Sequence, residues 1–293
     1  MIFIRFGFIG AGKVGFSFGR YLRENHMEVS GYYSRTTASA MEAADFTKTK
    51  YFVHLSELVE KSDAICISTP DKEIIKVWNE LKKLPVKNKL ICHFSGCLSS
   101  EIFSDISKYG AYAYSIHPMF ALSDKYNSYK HFKEAFITVE GDETHMEDVI
   151  NIIRTLGNDY KVINRECKVL YHLASVVSSN LVLGLIDCGV KYLRLSGFNE
   201  EEAVKALYPL IINNVENIKA QGVIESLTGP VERGDINTLS KHLQYIPPED
   251  KELYRICSRK LIDIASVKNA DRDYTSIKEV LEEEENEKYR SDI

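Results

Sequence analysis

Near the start of the chain, Gly10-Ala11-Gly12-Lys13-Val14-Gly15 stops an apolar run and opens a helical pattern. Glycines at this spacing suit a phosphate cradle. Gly10 makes a tight turn, Gly12 lets backbone approach a pyrophosphate, and Gly15 lets the helix pack closely on the strand. The helix N-terminus adds unpaired N–H groups and partial positive charge. Taken alone, the same spacing is that of any tight strand-to-helix turn. About twenty residues further on, where a dinucleotide fold reads the adenosine ribose, a short strand ends in Ser34-Arg35-Thr36 with no Asp or Glu beside it. An acidic residue there would bind the 2′-hydroxyl of NAD, whereas an Arg between two hydroxyl side chains suits a 2′-phosphate. The expected cofactor is therefore NADP(H). Thr69-Pro70 and Ser95-Gly96 each close an apolar strand, and ligands of open α/β sheets bind at such strand ends. Both pairs are expected to lie against the cofactor.

A second group interrupts a long apolar helical pattern. Lys168, His172, Ser175, Ser179 and Asn180 fall within about 140° of arc at 100° per residue. Burying such a stripe costs free energy unless partners or a ligand meet it, which makes it a site candidate beside the plainer reading of a hydrogen-bonded structural face. Carbonyl reduction needs a proton donor within reach of the developing alkoxide. His172 is the best donor by residue type, Lys168 the second, and Asn180 can hold an oxygen without supplying a proton. Ser175 and Ser179 are expected to contact substrate. His117, before Pro118 at a strand end, either orients a carboxylate or carbonyl or is a structural hydrogen-bonder. In Ser226–Asp235, Gly229-Pro230 opens a helix, and Thr228 and Arg233 can hold a substrate carboxylate. A salt bridge between Arg233 and Asp235 is the alternative there.

These residues need a scaffold. From Ile2 to Ile163 short apolar strands alternate with helices, the pattern of an α/β fold with a parallel Rossmann-type sheet. From Arg165 long helical patterns take over. The expected domains are a dinucleotide-binding domain over 1–164 and an all-helical substrate and dimerisation domain over 165–293. Its first helix is expected over Cys167–Leu195, interrupted at Gly184, followed by helices over Asn199–Gln221, about 232–245 and about 248–269. The acidic tail from Leu281 reads as a solvated helix or disordered segment. With 293 residues, 44% hydrophobic and 27% charged, the composition is that of an ordinary globular protein. A net charge of −5 argues against a nucleic-acid binder. Cys66, Cys92, Cys97, Cys167, Cys188 and Cys257 lack metal-ligand spacing and read as thiols of a reducing cytoplasm. No signal peptide or membrane span is expected.

The motifs FIGAGKVG, STPD, HFSG, SIHPM, YHLASVVSSN and LTGPVERGD together resemble the two-domain reductases that join a Rossmann domain to a helical one: 6-phosphogluconate and β-hydroxyacid dehydrogenases, pyrroline-5-carboxylate reductase and ketopantoate reductase. More narrowly they resemble a branch proposed as an alternative ketopantoate reductase. The resemblance covers all but the acidic tail. It implies NADP, a cleft between domains and a homodimer through the helical domains. One departure stands out. The better-known members place a catalytic Lys four residues before an Asn on the long helix, whereas Val176 stands four before Asn180. His172, eight before it, is about 12 Å away along the axis. The expected function is NADPH-dependent reduction of a small 2-keto acid, with ketopantoate to pantoate in pantothenate biosynthesis the first choice. Reduction of an imine such as pyrroline-5-carboxylate, oxidation of a β-hydroxy acid, and a non-catalytic NADP sensor are the alternatives.

Overall fold

The structure, a computed structural model, describes residues 4–282. The chain divides into two compact units, Met1–Leu183 and Gly184–Ile293.

The first unit is built on an eight-stranded sheet of order β3-β2-β1-β4-β5-β6-β7-β8. Its strands are β1 (Arg5–Ile9), β2 (Glu28–Tyr33), β3 (Lys50–Tyr51), β4 (Ala64–Ile67), β5 (Leu90–His93), β6 (Tyr112–Met119), β7 (Phe136–Gly141) and β8 (Tyr160–Val162). Helices α1 (Lys13–Glu24), α2 (Thr37–Thr47), α3 (Leu55–Lys61), α4 (Asp71–Leu81) and α5 (Met146–Leu156) cross over between them. The apolar strands alternate between two cores. Cys66 and Cys92 face one, with Phe8 and Phe16. Ile65, Ile67 and Ile91 face the other, with Trp78 and Phe103. Burial on both faces is why β4 and β5 read as unbroken apolar runs, and each large side chain so buried contributes roughly 1.5–3 kcal/mol.

Every pairing is parallel except β6 with β7, which is antiparallel. The sheet is thus parallel-dominated rather than purely parallel. This pairing also carries β6 past the strand end expected at His117, through Pro118 to Met119. Pro118 is tolerated because β5 pairs with β6 only as far as Ser115, so one side of the strand needs no ladder. β3 is confined to Lys50–Tyr51, since Leu55 already begins α3.

The expected long helix is two. α6 (Lys168–Ser178) and α7 (Asn180–Leu195) break at Ser179, whose φ of −127° and ψ of −72° are not helical, while Gly184 lies inside α7. α6 folds with the sheet unit. By length and composition Arg165–Leu195 holds an 18-residue stretch apolar enough to cross a membrane, with a mean hydropathy of 1.7 and none of that stretch buried, whereas no such span was expected from the sequence.

The second unit takes in most of α7 together with α8 (Glu200–Ser226), α9 (Pro230–Arg233), α10 (Ile236–Tyr245) and α11 (Lys251–Lys268). Asn199 starts α8 with a reciprocal cap, accepting from the Glu202 N–H while Glu202 accepts from its own. The core gathers Val231, Leu239, Ile262, Tyr274 and Ile277. Leu281, at the start of the acidic segment, is buried in it; the tail beyond, from residue 283, lies outside the described residues.

Candidate active site and cofactor cleft

Strand order reverses where β1 lies between β2 and β4, and a cleft of about 710 Å³ opens at their carboxyl ends. Such a switch point is where open α/β sheets bind ligands. Gly10, Ala11 and Gly12 line it on one side, Ser34, Arg35 and Thr36 on another, and Thr69 and Pro70 on a third. The glycines divide their labour. A Cβ on Gly15 would fall 2.1 Å from Ser68 Oγ, so this glycine is needed for helix-to-strand packing. A Cβ on Gly12 would meet only Ser68 O, at an ordinary 3.6 Å. The protein itself therefore does not need a glycine at 12, whereas a ligand approaching the backbone does. Lys13 is exposed and Val14 half-buried in the first turn of α1, which carries neither an acidic residue nor a side-chain cap. Its first N–H groups are free for an anion.

Two further features fit a bound dinucleotide. Thr69 Oγ1 is buried beside the cleft with no hydrogen-bond partner, an arrangement that costs free energy until a ligand satisfies it. The exposed Arg35 stands at the uncapped N-terminus of α2, where Thr36 Oγ1 donates to Ser39 Oγ at 2.8 Å. Ser39, Lys72 and Lys76 also line the cleft. Sequence reasoning missed them because only the fold brings the first turns of α2 and α4 to one opening.

At the end of β5 a second cluster is tied to this cleft. Ser95 Oγ donates to Asp71 Oδ2 at 2.6 Å and accepts from the N–H groups of Cys97 and Leu98. Its hydroxyl thus holds the turn, next to Thr69-Pro70. His93 is fully buried, its Nδ1 accepting from Ser95 N at 3.2 Å and its Nε2 facing Ser99 O at 3.2 Å. Burial pushes its pKa down to about 4, so it is a neutral strut that no motif singles out.

Gly96 lies under two imidazoles. A Cβ there would come within 2.7 Å of His172 Nδ1 and 2.9 Å of His117 Nε2, and the rings are 6.4 Å apart in an edge-to-face arrangement. His172 Nδ1 is buried and unpartnered. Burial, with the nearby charges of Lys168 and His172, lowers the His117 pKa to about 4. Lys168 lies one turn before His172 and is 2% exposed. Its Nζ donates to Ser95 O at 2.9 Å and to Ser115 Oγ at 2.8 Å, and burial lowers its pKa to about 8. Two of its three donors hold strand ends, a positioning geometry more than that of a proton donor open to substrate.

The rest of the polar stripe does not stay together. Ser175 is half-buried, whereas Ser179 and Asn180 are exposed and lie at or past the helix break, which undoes the phase that placed all five on one face. Ser179 Oγ donates to Ser175 O at 2.7 Å. In the second unit, Asp235 does not pair with Arg233. It caps α10, accepting from Thr238 N at 3.1 Å and Thr238 Oγ1 at 2.7 Å. Thr228 and Arg233 are exposed.

Residues 2–118 match the Rossmann-like domain family, and residues 135–261 match a domain of unknown function, DUF2520. No curated protein matches the chain. Among solved structures, protein TM1727 from Thermotoga maritima is 28% identical with a TM-score of 0.73, over 90% of this chain and 99% of that one. A protein of Bacteroides fragilis described as a candidate NADP oxidoreductase is 22% identical, TM-score 0.68, over 89% and 98%. A 1-pyrroline-5-carboxylate reductase from Streptococcus pyogenes is 15% identical, TM-score 0.64, over 90% and 98%. The last two likenesses are likenesses of fold. The two family matches thus lie side by side along the chain, the Rossmann-like one over residues 2–118 and the DUF2520 one over residues 135–261.

Proposed function

We propose that this chain is an NADPH-dependent oxidoreductase that reduces a small 2-keto acid, with ketopantoate to pantoate as its first candidate reaction. The observation that carries the reading is the convergence of His117 Nε2 and His172 Nδ1 over Gly96, joined to the glycine-lined cleft through Asp71 and Ser95. A dinucleotide sensor needs the cleft but not the paired imidazoles. NADPH, when bound, supplies the hydride. Gly10, Gly12, Thr69 and Pro70 hold its phosphates and nicotinamide half, and Arg35 with Ser34 and Thr36 holds the 2′-phosphate. His172 supplies the proton, His117 hydrogen-bonds the substrate oxygen, and Lys168 fixes the strand ends under both.

The test is the initial rate of reduced-nicotinamide oxidation with ketopantoate, run against 1-pyrroline-5-carboxylate and a substrate-free control. A fast NADPH-selective rate with ketopantoate is expected. A rate only with the imine would move the reading to imine reduction, the activity named for the Streptococcus pyogenes neighbour. NADPH binding without turnover of either would favour the sensor.

The protein is further proposed to act as a homodimer through its helices. Of the 16 residues of α7 none is buried, and of the 27 of α8 only Ala203 is. Val169, Leu170, Leu173, Leu183, Tyr208 and Leu210 are each more than half exposed. Apolar helices so uncovered need a partner surface, and a second copy offers the same surface in return. Sedimentation equilibrium is expected to give twice the chain mass; a monomer at micromolar concentration would overturn this. The six free cysteines suit a reducing compartment such as the cytoplasm.

A further inference from the structure

Tyr171, on α6, belongs to none of the residues the glycine motif or the polar stripe pointed to. Its hydroxyl lies 2.7 Å from His117 Nδ1, with the two rings edge to face at 5.6 Å. Thr138, opposite His117 on β7, has its Oγ1 3.5 Å from the His117 carbonyl. The other imidazole nitrogen, Nε2, lies against Gly96 beside the unpartnered His172 Nδ1.

We propose that Tyr171 is a positioning residue that locks His117 in the tautomer with its hydrogen on Nε2, so that the site offers substrate one fixed N–H donor over Gly96. Which nitrogen of a neutral imidazole carries the hydrogen is set by the bond the other nitrogen makes. A phenol is the better donor and an imidazole nitrogen the better acceptor of the two. The 2.7 Å separation makes the contact a well-formed hydrogen bond.

The lock has a chemical consequence. A carbonyl oxygen or an imine nitrogen presents a lone pair, and a bare Nε2 would repel it. Because burial keeps His117 neutral down to a pKa of about 4, the ring cannot escape the choice by protonating both nitrogens near neutral pH. It acts as a hydrogen-bond donor that polarises the substrate, a role a neutral imidazole fills in other active sites.

This assignment rests on the reductase reading for its catalytic meaning but not for its test. The full-length protein, labelled with ¹⁵N-histidine, is observed at neutral pH without ligand by two-bond ¹H–¹⁵N correlation; His117 is assigned among eight histidines by its loss in His117→Asn. The wild type is expected to show the Nε2–H pattern. Tyr171→Phe, which keeps the ring, is expected to shift it to a tautomer mixture. An Nδ1–H pattern in the wild type, or no change in Tyr171→Phe, overturns the proposal. With ketopantoate and NADPH, Tyr171→Phe is expected to lower kcat about 10- to 100-fold, the usual loss when a partner orienting a histidine is removed, with the KM for NADPH unchanged. An Nε2–H pattern without turnover in the wild type supports the tautomer lock and counts against the reductase reading alone.

Discussion

His172→Gln is expected to lower turnover by about 10²–10⁴-fold, the range for loss of a general acid, while NADPH affinity stays within twofold. The separation of effects follows from the geometry. His172 touches none of the cleft that the glycine motif lines, and its Nδ1 is buried over Gly96 without a partner. Gln keeps a hydrogen-bonding side chain of similar reach but has no proton to exchange near neutral pH. Near-normal turnover would transfer the role to His117 or Lys168.

The pH profile separates those outcomes. An acid must be protonated, so the rate falls as pH rises through the pKa of the donor. If Lys168 were that donor, its lowered pKa would place the fall near 8, and the fall would persist in His172→Gln and vanish in Lys168→Met. His117, pushed down to about 4, changes charge too far below neutrality to produce such a limb. A basic limb lost with His172 alone assigns the proton to it.

How much of this was readable beforehand depends on the range of the interactions involved. The glycine turn and the Ser34-Arg35-Thr36 strand end were legible because their demands are local: a backbone that must turn, a helix that must approach a strand, a charge left without an acidic neighbour. α6 was not. An amphipathic helix is normally read with its apolar side inward, yet here Lys168, Tyr171 and His172 meet the strand ends while Val169, Leu170, Leu173 and Val177 are exposed. Ser95 O and Ser115 Oγ make the inversion possible by offering Lys168 partners, and no periodicity reports that. The break at Ser179 had a signal that was passed over. Ser178-Ser179-Asn180 is a run of side chains that compete for backbone hydrogen bonds, whereas Gly184, taken as the interruption, stays helical. The extension of β6 through Pro118 depended on β7 returning antiparallel, a long-range pairing that the sequence left open.

Arg35→Ala is expected to weaken NADPH binding about 10- to 100-fold and to leave NADH binding nearly unchanged. An exposed ion pair by itself contributes about 0–1 kcal/mol, which would give a factor of five or less. The larger expectation rests on what surrounds the guanidinium. Its target is a phosphate that carries close to two charges and presents three acceptor oxygens, and Arg can grip it in bidentate fashion. The free N–H groups at the start of α2 add their partial charge, because no acidic side chain stands in the first turn and Thr36 does not cap it. Charge-assisted hydrogen bonds of this kind contribute about 1.5–3 kcal/mol, which sets the stated range. Lys76, also at the cleft, is a poor substitute because Glu73 pairs with it at 3.0 Å. Calorimetric titration of both nucleotides into wild type and variant at one fixed, moderate ionic strength measures the effect, and raising the salt should narrow the preference, since Arg35 is exposed to screening. Equal affinity of the wild type for NADH and NADPH would remove the 2′-phosphate site altogether. An equal loss for both nucleotides in the variant would place Arg35 against a part they share, the adenine or the pyrophosphate.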